Sequence, residues 1–295
     1  MTAPAAPDEV WTVARVLAWA SDDLKKRAAS DSPRLDAELL LCRALGIDRV
    51  RLIVESQRPL DAAELARFKE MLIRRRRCEP IAYILGEREF YGHRFSVTRD
   101  VLIPRPDTEV LVDVALTRTE HLALHGRALD VCTGSGCVAI AFAKERPTWH
   151  VTGSDISGAA LEIARGNALR LGAILNVDFR QADLFEGLSS DTRFDLISAN
   201  PPYIPEGDAP TLSPDIRNHE PSAALYGGAD GLAIIRRLLE AAPALLAPGG
   251  VLALEVGAGQ ADRVAKGFAR YGFAEVEQAQ DYAHIPRVVS GRIPT

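Results

Sequence analysis

Asn200-Pro201-Pro202-Tyr203 is the stretch whose residue types are best suited to chemistry. It follows the apolar run 194–199, which predicts a buried strand that the two prolines must end, because each lacks an N–H and has a fixed φ. Asn200 is therefore expected at the carboxyl end of a strand, where open α/β sheets bind their ligands. The amide oxygen of Asn200 and the carbonyl oxygen of Pro201 can each accept a hydrogen from a planar NH2 group, and Tyr203 can lie against its plane. Taken alone, the motif is equally consistent with a Pro-rich turn.

A glycine-rich turn is predicted where a strand over 128–131 meets the following helix. Glycine permits a tight turn there and a close approach of the backbone to a ligand. Asp155 ends the next predicted strand, 19 residues after Gly136, and a carboxylate in that place accepts hydrogen bonds from ribose hydroxyls. The residues of this turn assigned to cofactor binding are Asp130, Cys132, Thr133, Gly134, Ser135 and Gly136.

A third predicted strand ends near Asp183, which can offer a carboxylate to an adenine amine, while Phe185 can offer an aromatic face to the ring. Three successive strand ends thus suit a nucleoside, and the fourth carries Asn200. Helix capping by Asp155 and ordinary core packing of Phe185 are the structural alternatives. Residues 134–139 also fit the Gly-x-Gly-x-x-Ala form of a nicotinamide site.

The elements that must position these residues alternate between strand and helix. This alternation predicts an α/β, Rossmann-like fold with a mostly parallel sheet and helices on both faces. Residues 204–228 show no periodicity and are predicted to form a long loop, a candidate lid. The predicted strands cover 128–131, 150–154, 177–180, 194–199 and 251–255, with two further β-rich runs around 274–276 and 288–289.

The chain before residue 86 shows helical periodicity and no strand pattern. The arginines Arg74–Arg77 are interpreted as a solvated helix end, where cations suit the helix dipole. Asp61 with Glu64 is predicted to form a capping box, and Asp107 or Thr108 is predicted to cap a later helix. Residues 90–102 alternate in a strand-like way, with a predicted turn at Gly92. The predicted parts are a helical substrate-recognition domain over 1–85, a β-hairpin linker over 86–106 and a catalytic domain over 107–295.

Composition excludes several classes of function. The net charge is −5, with +2 in residues 1–85 and −7 in the rest, which argues against nucleic-acid binding driven by bulk charge. No apolar run is long enough to span a bilayer, and Met1–Pro4 does not begin a signal peptide. The four cysteines form no CxxC and no zinc spacing, so we expect free thiols, no metal and a cytoplasmic protein.

Taken together, these residues resemble the class I S-adenosylmethionine-dependent methyltransferases, and nearly the whole chain resembles the HemK/PrmC family within that class. This family comprises the glutamine N5-methyltransferases of peptide chain release factors. The segments that carry the resemblance are 32–38, 79–86, 88–92, Leu102–Glu109, Asn200–Ile204, and the tail Asp281-Tyr282-Ala283 with Arg287–Arg292.

The resemblance implies a role for each matched residue. The turn Cys132–Gly136 would bind the methionine part of S-adenosylmethionine, Asp155 its ribose and Phe185, often Trp in the family, its adenine. The stretch Asn200–Tyr203 would hold the glutamine of a Gly-Gly-Gln motif, and the product would be S-adenosylhomocysteine. The family commonly has Gly at the position of Cys132. Because Cys does not adopt a positive φ cheaply, we predict an ordinary φ there.

Three other functions are considered. A nucleic-acid amino methyltransferase shares the Asn-Pro-Pro-Tyr motif but usually needs a basic face. A nicotinamide oxidoreductase needs a proton donor, and neither His219 nor His284 sits at a convincing position. A non-catalytic release-factor-binding protein would not need the intact cofactor turn. The expected partners are release factors, with no direct nucleic-acid or membrane contact, and the expected state is a monomer.

Overall fold

The computed structural model describes residues 10–122, 124–187 and 192–295. Its chain divides into two compact units. The helical unit contains the described residues up to Gly86 together with Pro214–His219, and the sheet unit contains Glu87–Ser213 and Glu220–Thr295. Residues 1–9, on which the interpretation of the N-terminus depends, lie outside the described residues.

The helical unit is built from amphipathic helices around an apolar core. Asp61 and Glu64 form the expected capping box at the start of one helix, each side chain accepting from the backbone N–H of the other. Leu40, Leu41 and Phe68 are buried in the core. The helices before residue 87 are α1 (Val13–Lys26), α2 (Pro33–Leu45), α3 (Arg49–Val54), α4 (Ala62–Arg76) and α5 (Ile81–Leu85).

The interpretation of Arg74–Arg77 as a solvated helix end is wrong for Arg75 and Arg76, whereas Arg77 at the end of α4 is exposed. Arg75 is 6% exposed and donates through Nε to Asp36 at 2.6 Å. Arg76 donates to Asp23 at 2.7 Å. Buried guanidinium groups require such partners, and these ion pairs tie α4 to α1 and α2.

A short hairpin opens the sheet unit. Strands β1 (Glu87–Phe90) and β2 (His93–Ser96) are antiparallel, and the predicted turn at Gly92 joins them. The hairpin ends earlier than the alternation up to residue 102 predicts. After a 3₁₀ turn over Pro106–Thr108, helix α6 (Glu109–Arg118) begins without a side-chain cap, so the capping role predicted for Asp107 or Thr108 is wrong.

The described part of the sheet unit contains a seven-stranded, Rossmann-like sheet in the order β5-β4-β3-β6-β7-β9-β8. Strands β5, β4, β3, β6 and β7 are parallel to one another, whereas β9 runs antiparallel to both β7 and β8. This confirms the predicted mostly parallel sheet. The elements are β3 (Arg127–Val131), α7 (Cys137–Glu145), β4 (His150–Asp155), α8 (Gly158–Leu171), β5 (Val177–Gln181), β6 (Phe194–Ala199), α9 (Pro214–His219), α10 (Ala233–Ala241), β7 (Leu246–Glu255), α11 (Ala261–Arg270), β8 (Ala274–Gln280) and β9 (Pro286–Arg292).

The register of the parallel strands brings their carboxyl ends level. Val131 of β3 pairs with Ser154 of β4 and with Ala199 of β6. Ala199 also pairs with Leu254 of β7, so the residues that follow, Asn200 and Glu255, leave neighbouring strands at the same edge. Polar residues that are far apart in the chain therefore meet at this edge.

Residues 204–228 are not the structureless loop that the sequence predicts. A 3₁₀ helix over Glu206–Thr211 precedes α9, and a 3₁₀ turn over Ser222–Ala224 follows it. Ile204 also forms a parallel bridge to Tyr226. The sequence does not predict these short elements, because each is too short to show a periodic apolar pattern.

Gly153 is required by packing in the centre of β4. A Cβ at this position would lie 2.6 Å from Cδ1 of Phe179 and 3.0 Å from Oγ1 of Thr133. We expect Gly153→Ala to destabilise the protein by about 1–3 kcal/mol through overpacking. The matched control, Gly166→Ala in α8, meets no atom within 4 Å and should stabilise by about 0.5–1 kcal/mol.

Urea unfolding of the two variants measures this difference directly. Equal stability of both variants would contradict the proposed close packing of Gly153 against Phe179.

Candidate active site

A cavity of about 330 Å³ opens at the carboxyl edge of the sheet. It collects residues from the ends of β3, β4, β5 and β6, as the level register requires. A pocket of this size suits a small molecule. The sequence-predicted site residues that line it are Asp130, Cys132, Thr133, Gly134, Ser135, Asp155, Asp183, Asn200 and Pro202.

Four predicted site residues, Gly136, Phe185, Pro201 and Tyr203, are not among the described residues that line this cavity. Phe185 and Tyr203 pack instead against the apolar cluster beneath it. Leu184, with a φ of 55°, lines the cavity at the place where Phe185 was expected. Because the backbone of Leu184 is left-handed, the chain turns there, so that Leu184 lines the cavity while Phe185 packs against the apolar cluster.

The buried carboxylate of Asp130 joins the turn after β3 to strand β6. It accepts from Oγ1 of Thr133 at 2.6 Å and from Oγ of Ser198 at 2.9 Å. Burial raises the pKa of Asp130 to about 6, although both hydroxyl donors favour its charged form. Although Asp130 lines the cavity, both its oxygens are used within the protein, so it fixes the turn from behind.

Asp155 holds the turn from the other side. Its Oδ2 accepts from the backbone N–H of Gly134 at 2.9 Å, and its Oδ1 accepts from that of Ser157 at 2.9 Å. Burial raises its pKa, and these backbone donors oppose the shift. Ser157, not Asp155, caps α8, because its hydroxyl accepts from the backbone N–H of Ala160 at 3.1 Å. Asp155 supports this cap residue and also lines the cavity. The two oxygens of Asp155 have four lone pairs, and the backbone donors of Gly134, Ile156 and Ser157 leave one with which to accept from a ribose hydroxyl.

Cys132 has a φ of 58°, so the prediction of an ordinary φ is wrong. Its neighbours explain the outcome: Asp130 is fixed to β6, and the N–H of Thr133 donates to the carbonyl of Ser154 at 2.9 Å. The chain between these two anchors must reverse sharply. Burial raises the pKa of the Cys132 thiol, which keeps it protonated and gives it no nucleophilic character.

Asp183 forms an ion pair with Arg237 of α10 at 3.0 Å, and both residues line the cavity. The pair is partly exposed, so the carboxylate can accept an additional hydrogen bond. It marks the side of the cavity formed by β5.

Asn200 is held at the cavity by the hydroxyl of Thr108. Its Nδ2 donates to Oγ1 of Thr108 at 3.1 Å. Beside it, the phenol of Tyr203 donates to Oε1 of Glu255 at 3.3 Å. Burial raises the pKa of Glu255 to about 7, while the Thr108 and Tyr203 hydroxyls bind its carboxyl and Arg287 favours its charged form.

The segment that follows α9 forms part of the cavity wall. Pro221, Ala223 and Ala224 line it, and Arg105 donates to the buried carboxylate of Glu220 just before them. This ion pair anchors the segment to the chain that follows the hairpin. Part of the predicted lid therefore contributes to the wall.

The sequence predicts no place in the site for Thr108, Glu255, Leu184 or Arg237. Glu255 carried a usable signal, since an acid that ends an otherwise apolar strand of a parallel sheet points to the ligand edge. Thr108 carried a misleading one, because Thr before a helix usually caps it. Within the described ranges, no group of three or more His, Cys, Asp and Glu is placed to hold a metal ion. No helix among the described residues is long and apolar enough to cross a membrane.

This arrangement can bind a nucleoside along β3 to β5 and a planar amide at Asn200. Its hydrogen-bonding groups face one cavity and come from rigid strand ends. Such an arrangement suits a reaction in which the protein holds two bound groups in line with each other.

Two family models match the chain. The model of the PrmC N-terminal domain matches residues 15–86, and a methyltransferase domain model matches residues 124–290.

Curated relatives match over nearly the full length. The release factor glutamine methyltransferase of Geobacter sulfurreducens is 47% identical over 97% of this chain and 98% of that protein. The release factor glutamine methyltransferase of Koribacter versatilis is 43% identical over 92% of this chain and 96% of that protein. The release factor glutamine methyltransferase of Vibrio cholerae is 42% identical over 96% of this chain and 98% of that protein.

Among solved structures, the hMettl16 catalytic domain in complex with the MAT2A 3′UTR hairpin 6 is similar, with a TM-score of 0.58. It is 12% identical and the match covers 72% of this chain and 80% of that chain, so it supports the fold alone. With the methyltransferase family model, it confirms the predicted class I methyltransferase fold.

The positive φ of Cys132 leads to a reversal of the usual order of stability. Ala normally stabilises relative to Gly, but a left-handed residue with a Cβ costs about 1–2 kcal/mol. We expect Cys132→Gly to be more stable than Cys132→Ala by about 1 kcal/mol in urea unfolding. A Cys132→Ala variant that equals or exceeds Cys132→Gly would show that the backbone at this position is not left-handed.

Proposed function

Because the chain belongs to the release factor glutamine methyltransferase family, we propose that it methylates the side-chain amide nitrogen, N5, of the glutamine in the Gly-Gly-Gln motif of peptide chain release factors. The observation that carries this proposal is the orientation of Asn200. Its NH2 group is directed at Thr108, which leaves its oxygen as the amide atom available to the cavity. An acceptor in this place suits a substrate that presents an NH2 group.

S-adenosylmethionine is the proposed methyl donor, and it supplies a methyl group already activated by a sulfonium. The turn Cys132–Gly136 would hold its methionine part, with Asp130 fixing that turn from behind. Asp155 would accept from its ribose, and Asp183 from its adenine amine. Support comes from the way these groups line one cavity at the ends of successive strands.

The proposed work of the protein is to align the glutamine with the methyl group. An amide nitrogen is a poor nucleophile, because its lone pair is delocalised into the carbonyl. The oxygen of Asn200 and the backbone carbonyl of Pro201 would accept the two hydrogens of the NH2 group. These bonds strengthen as positive charge develops on the nitrogen, and so stabilise the transition state more than the ground state. Transfer would form the bond between nitrogen and methyl as the bond between methyl and sulfur breaks, with S-adenosylhomocysteine as the leaving group. The alkylated nitrogen would then be acidic enough to release one proton to water, so no general base is assigned.

The remaining residues of the motif are proposed to shape the substrate pocket. Pro202 lines the cavity directly. Tyr203, with its phenol bound to Glu255, would support the pocket from the side. Phe185 retains a proposed role near the adenine only if the segment after Asp183 changes its packing when the cofactor binds.

The two units are proposed to perform different parts of the function. Residues 1–85 are proposed to recognise the release factor, because the cavity of the sheet unit suffices for the transfer. The hairpin over 86–106 and the catalytic part over 107–295 complete the proposed organisation. The proposal also places the protein in the cytoplasm as a monomer, with release factors as partners.

Removal of the Asp155 carboxylate tests the cofactor assignment. Asp155→Ala loses charge-assisted hydrogen bonds, so we expect the affinity for S-adenosylmethionine to weaken by roughly 1.5–3 kcal/mol in titration calorimetry. Asp178→Ala is the matched control, because Asp178 lies on β5 and is not among the described cavity residues. Unchanged affinity in Asp155→Ala would remove this residue from the cofactor site.

Substitution of Asn200 tests the transfer itself. Asn200→Ala removes one acceptor at the reacting nitrogen, so kcat on a purified release factor should fall on the order of a hundredfold. Asn200→Asp keeps an acceptor in place and should retain more activity than Asn200→Ala. Release factor affinity should change little in either variant.

Two outcomes would contradict this assignment. Near-normal kcat in both variants would leave Asn200 as a strand terminator alone. Loss of release factor binding in both would place it on the docking surface instead.

A further inference from the structure

Thr108 is buried at 2% exposure, at the position immediately before α6, yet its hydroxyl does not cap that helix. A threonine at a helix start normally uses its hydroxyl for the free backbone N–H groups. Here Oγ1 accepts instead from Nδ2 of Asn200, which is 92 residues away in the chain. The hydroxyl is thus committed to the cavity rather than to its own helix.

The hydroxyl of Thr108 has a single proton, and the neighbouring carboxyl determines its direction. Glu255 is 1% exposed, and the Thr108 hydroxyl lowers the pKa of its carboxyl, as a donor to the charged form does. In its charged form the carboxylate of Glu255 only accepts, so the Thr108 proton then points to Glu255 and the Thr108 oxygen remains for a donor. The only donor that the side chain of Asn200 can offer is its NH2 group.

Several neighbouring groups act on the carboxyl of Glu255. The phenol of Tyr203 donates to it, and the charges of Arg287 and Asp107 act on it from β9 and from the 3₁₀ turn. Arg287 bridges Asp281 at 2.8 Å and Asp107 at 3.2 Å. The carboxyl is therefore bound at Oε1 by Tyr203 and lies close to the ion pairs that Arg287 forms with Asp281 and Asp107.

We propose that Thr108 and Glu255 are positioning residues, which hold the amide of Asn200 with its oxygen toward the substrate. Glu255 sets the polarity of the Thr108 hydroxyl, and Thr108 sets the flip state of the amide. Without them the Asn200 amide is free to rotate by a half-turn, which would present NH2 to the NH2 group of the substrate. The inference rests on the proposed function, since it specifies how Asn200 performs its part.

Substitutions at Thr108 separate the hydroxyl from the volume of the side chain. Thr108→Ser keeps the hydroxyl and should retain kcat on release factor within about threefold of the unmodified protein, whereas isosteric Thr108→Val should lower kcat about tenfold to a hundredfold. The Michaelis constant for release factor and the affinity for S-adenosylmethionine should change less than about twofold, because neither ligand loses a direct contact.

Thr119→Val is the matched control for burying an extra methyl in place of a hydroxyl. Thr119 is fully buried at the end of α6, and its hydroxyl donates only to backbone carbonyls of that helix, the shorter bond being 2.7 Å to Ala115. It should leave kcat unchanged. If Thr108→Val keeps the kcat of the unmodified protein, or if Thr119→Val loses as much activity, the inference is overturned.

A double substitution tests whether Glu255 acts through Thr108. Glu255→Leu should lower kcat to about the level of Thr108→Val, and the variant with both changes should lose no more than about twofold beyond the larger single loss. Full kcat in Glu255→Leu, or losses that multiply in the double variant, would remove Glu255 from the proposal.

The orientation of the amide can be measured without any substrate. In protein labelled with ¹⁵N-asparagine, the Asn200 side-chain signal is identified by its loss in Asn200→Asp. One of its two protons should exchange slowly with solvent in the unmodified protein and rapidly in Thr108→Val and Glu255→Leu. Rapid exchange in all three overturns the inference even if release factor is methylated, and slow exchange supports it even if the proposed substrate is wrong.

Discussion

The site depends on the buried carboxylate of Asp130, which accepts from Thr133 in the turn after β3 and from Ser198 in β6. Ser198 lies two residues before Asn200, so one side chain sets the turn proposed for the cofactor against the strand that carries the acceptor. A transfer reaction between two bound groups requires their separation to be fixed, and rigid strand ends fix it better than loops do. The raised pKa of Asp130, about 6, reflects the cost of burying this carboxyl.

The parts of the structure that could be predicted from the sequence are those with local causes. Apolar runs bounded by turn residues located the strands, and the level carboxyl ends of parallel strands made a cavity lined by Asp155 and Asn200 foreseeable. The capping box at Asp61 followed from four consecutive residues. In each case the chemistry that decides the outcome lies within one turn or one strand.

The parts that could not be predicted have distant causes. The hydroxyl of Thr108 lies beside Asn200 because the 3₁₀ turn over Pro106–Thr108 and the end of β6 meet at the edge of the sheet. Nothing near Thr108 in the chain predicts this contact. Cys132 adopts a positive φ because long-range bonds anchor both of its sides, and these outweigh its intrinsic preference. Arg75 can be buried because Asp36, on another helix, accepts a hydrogen bond from its guanidinium group. Local propensity is overruled wherever tertiary hydrogen bonds are strong enough to offset it.

The central claim, that the amide acceptor at the end of β6 receives a glutamine side chain, is tested most directly by locating the methyl group. Purified protein is incubated with labelled S-adenosylmethionine and an unmethylated release factor, with double-stranded DNA as competitor, and the products are fragmented in a mass spectrometer. The account predicts one methyl group on the side-chain nitrogen of the glutamine in the Gly-Gly-Gln motif, and none on the DNA. A methyl group on another residue, on the DNA, or on neither substrate would contradict it.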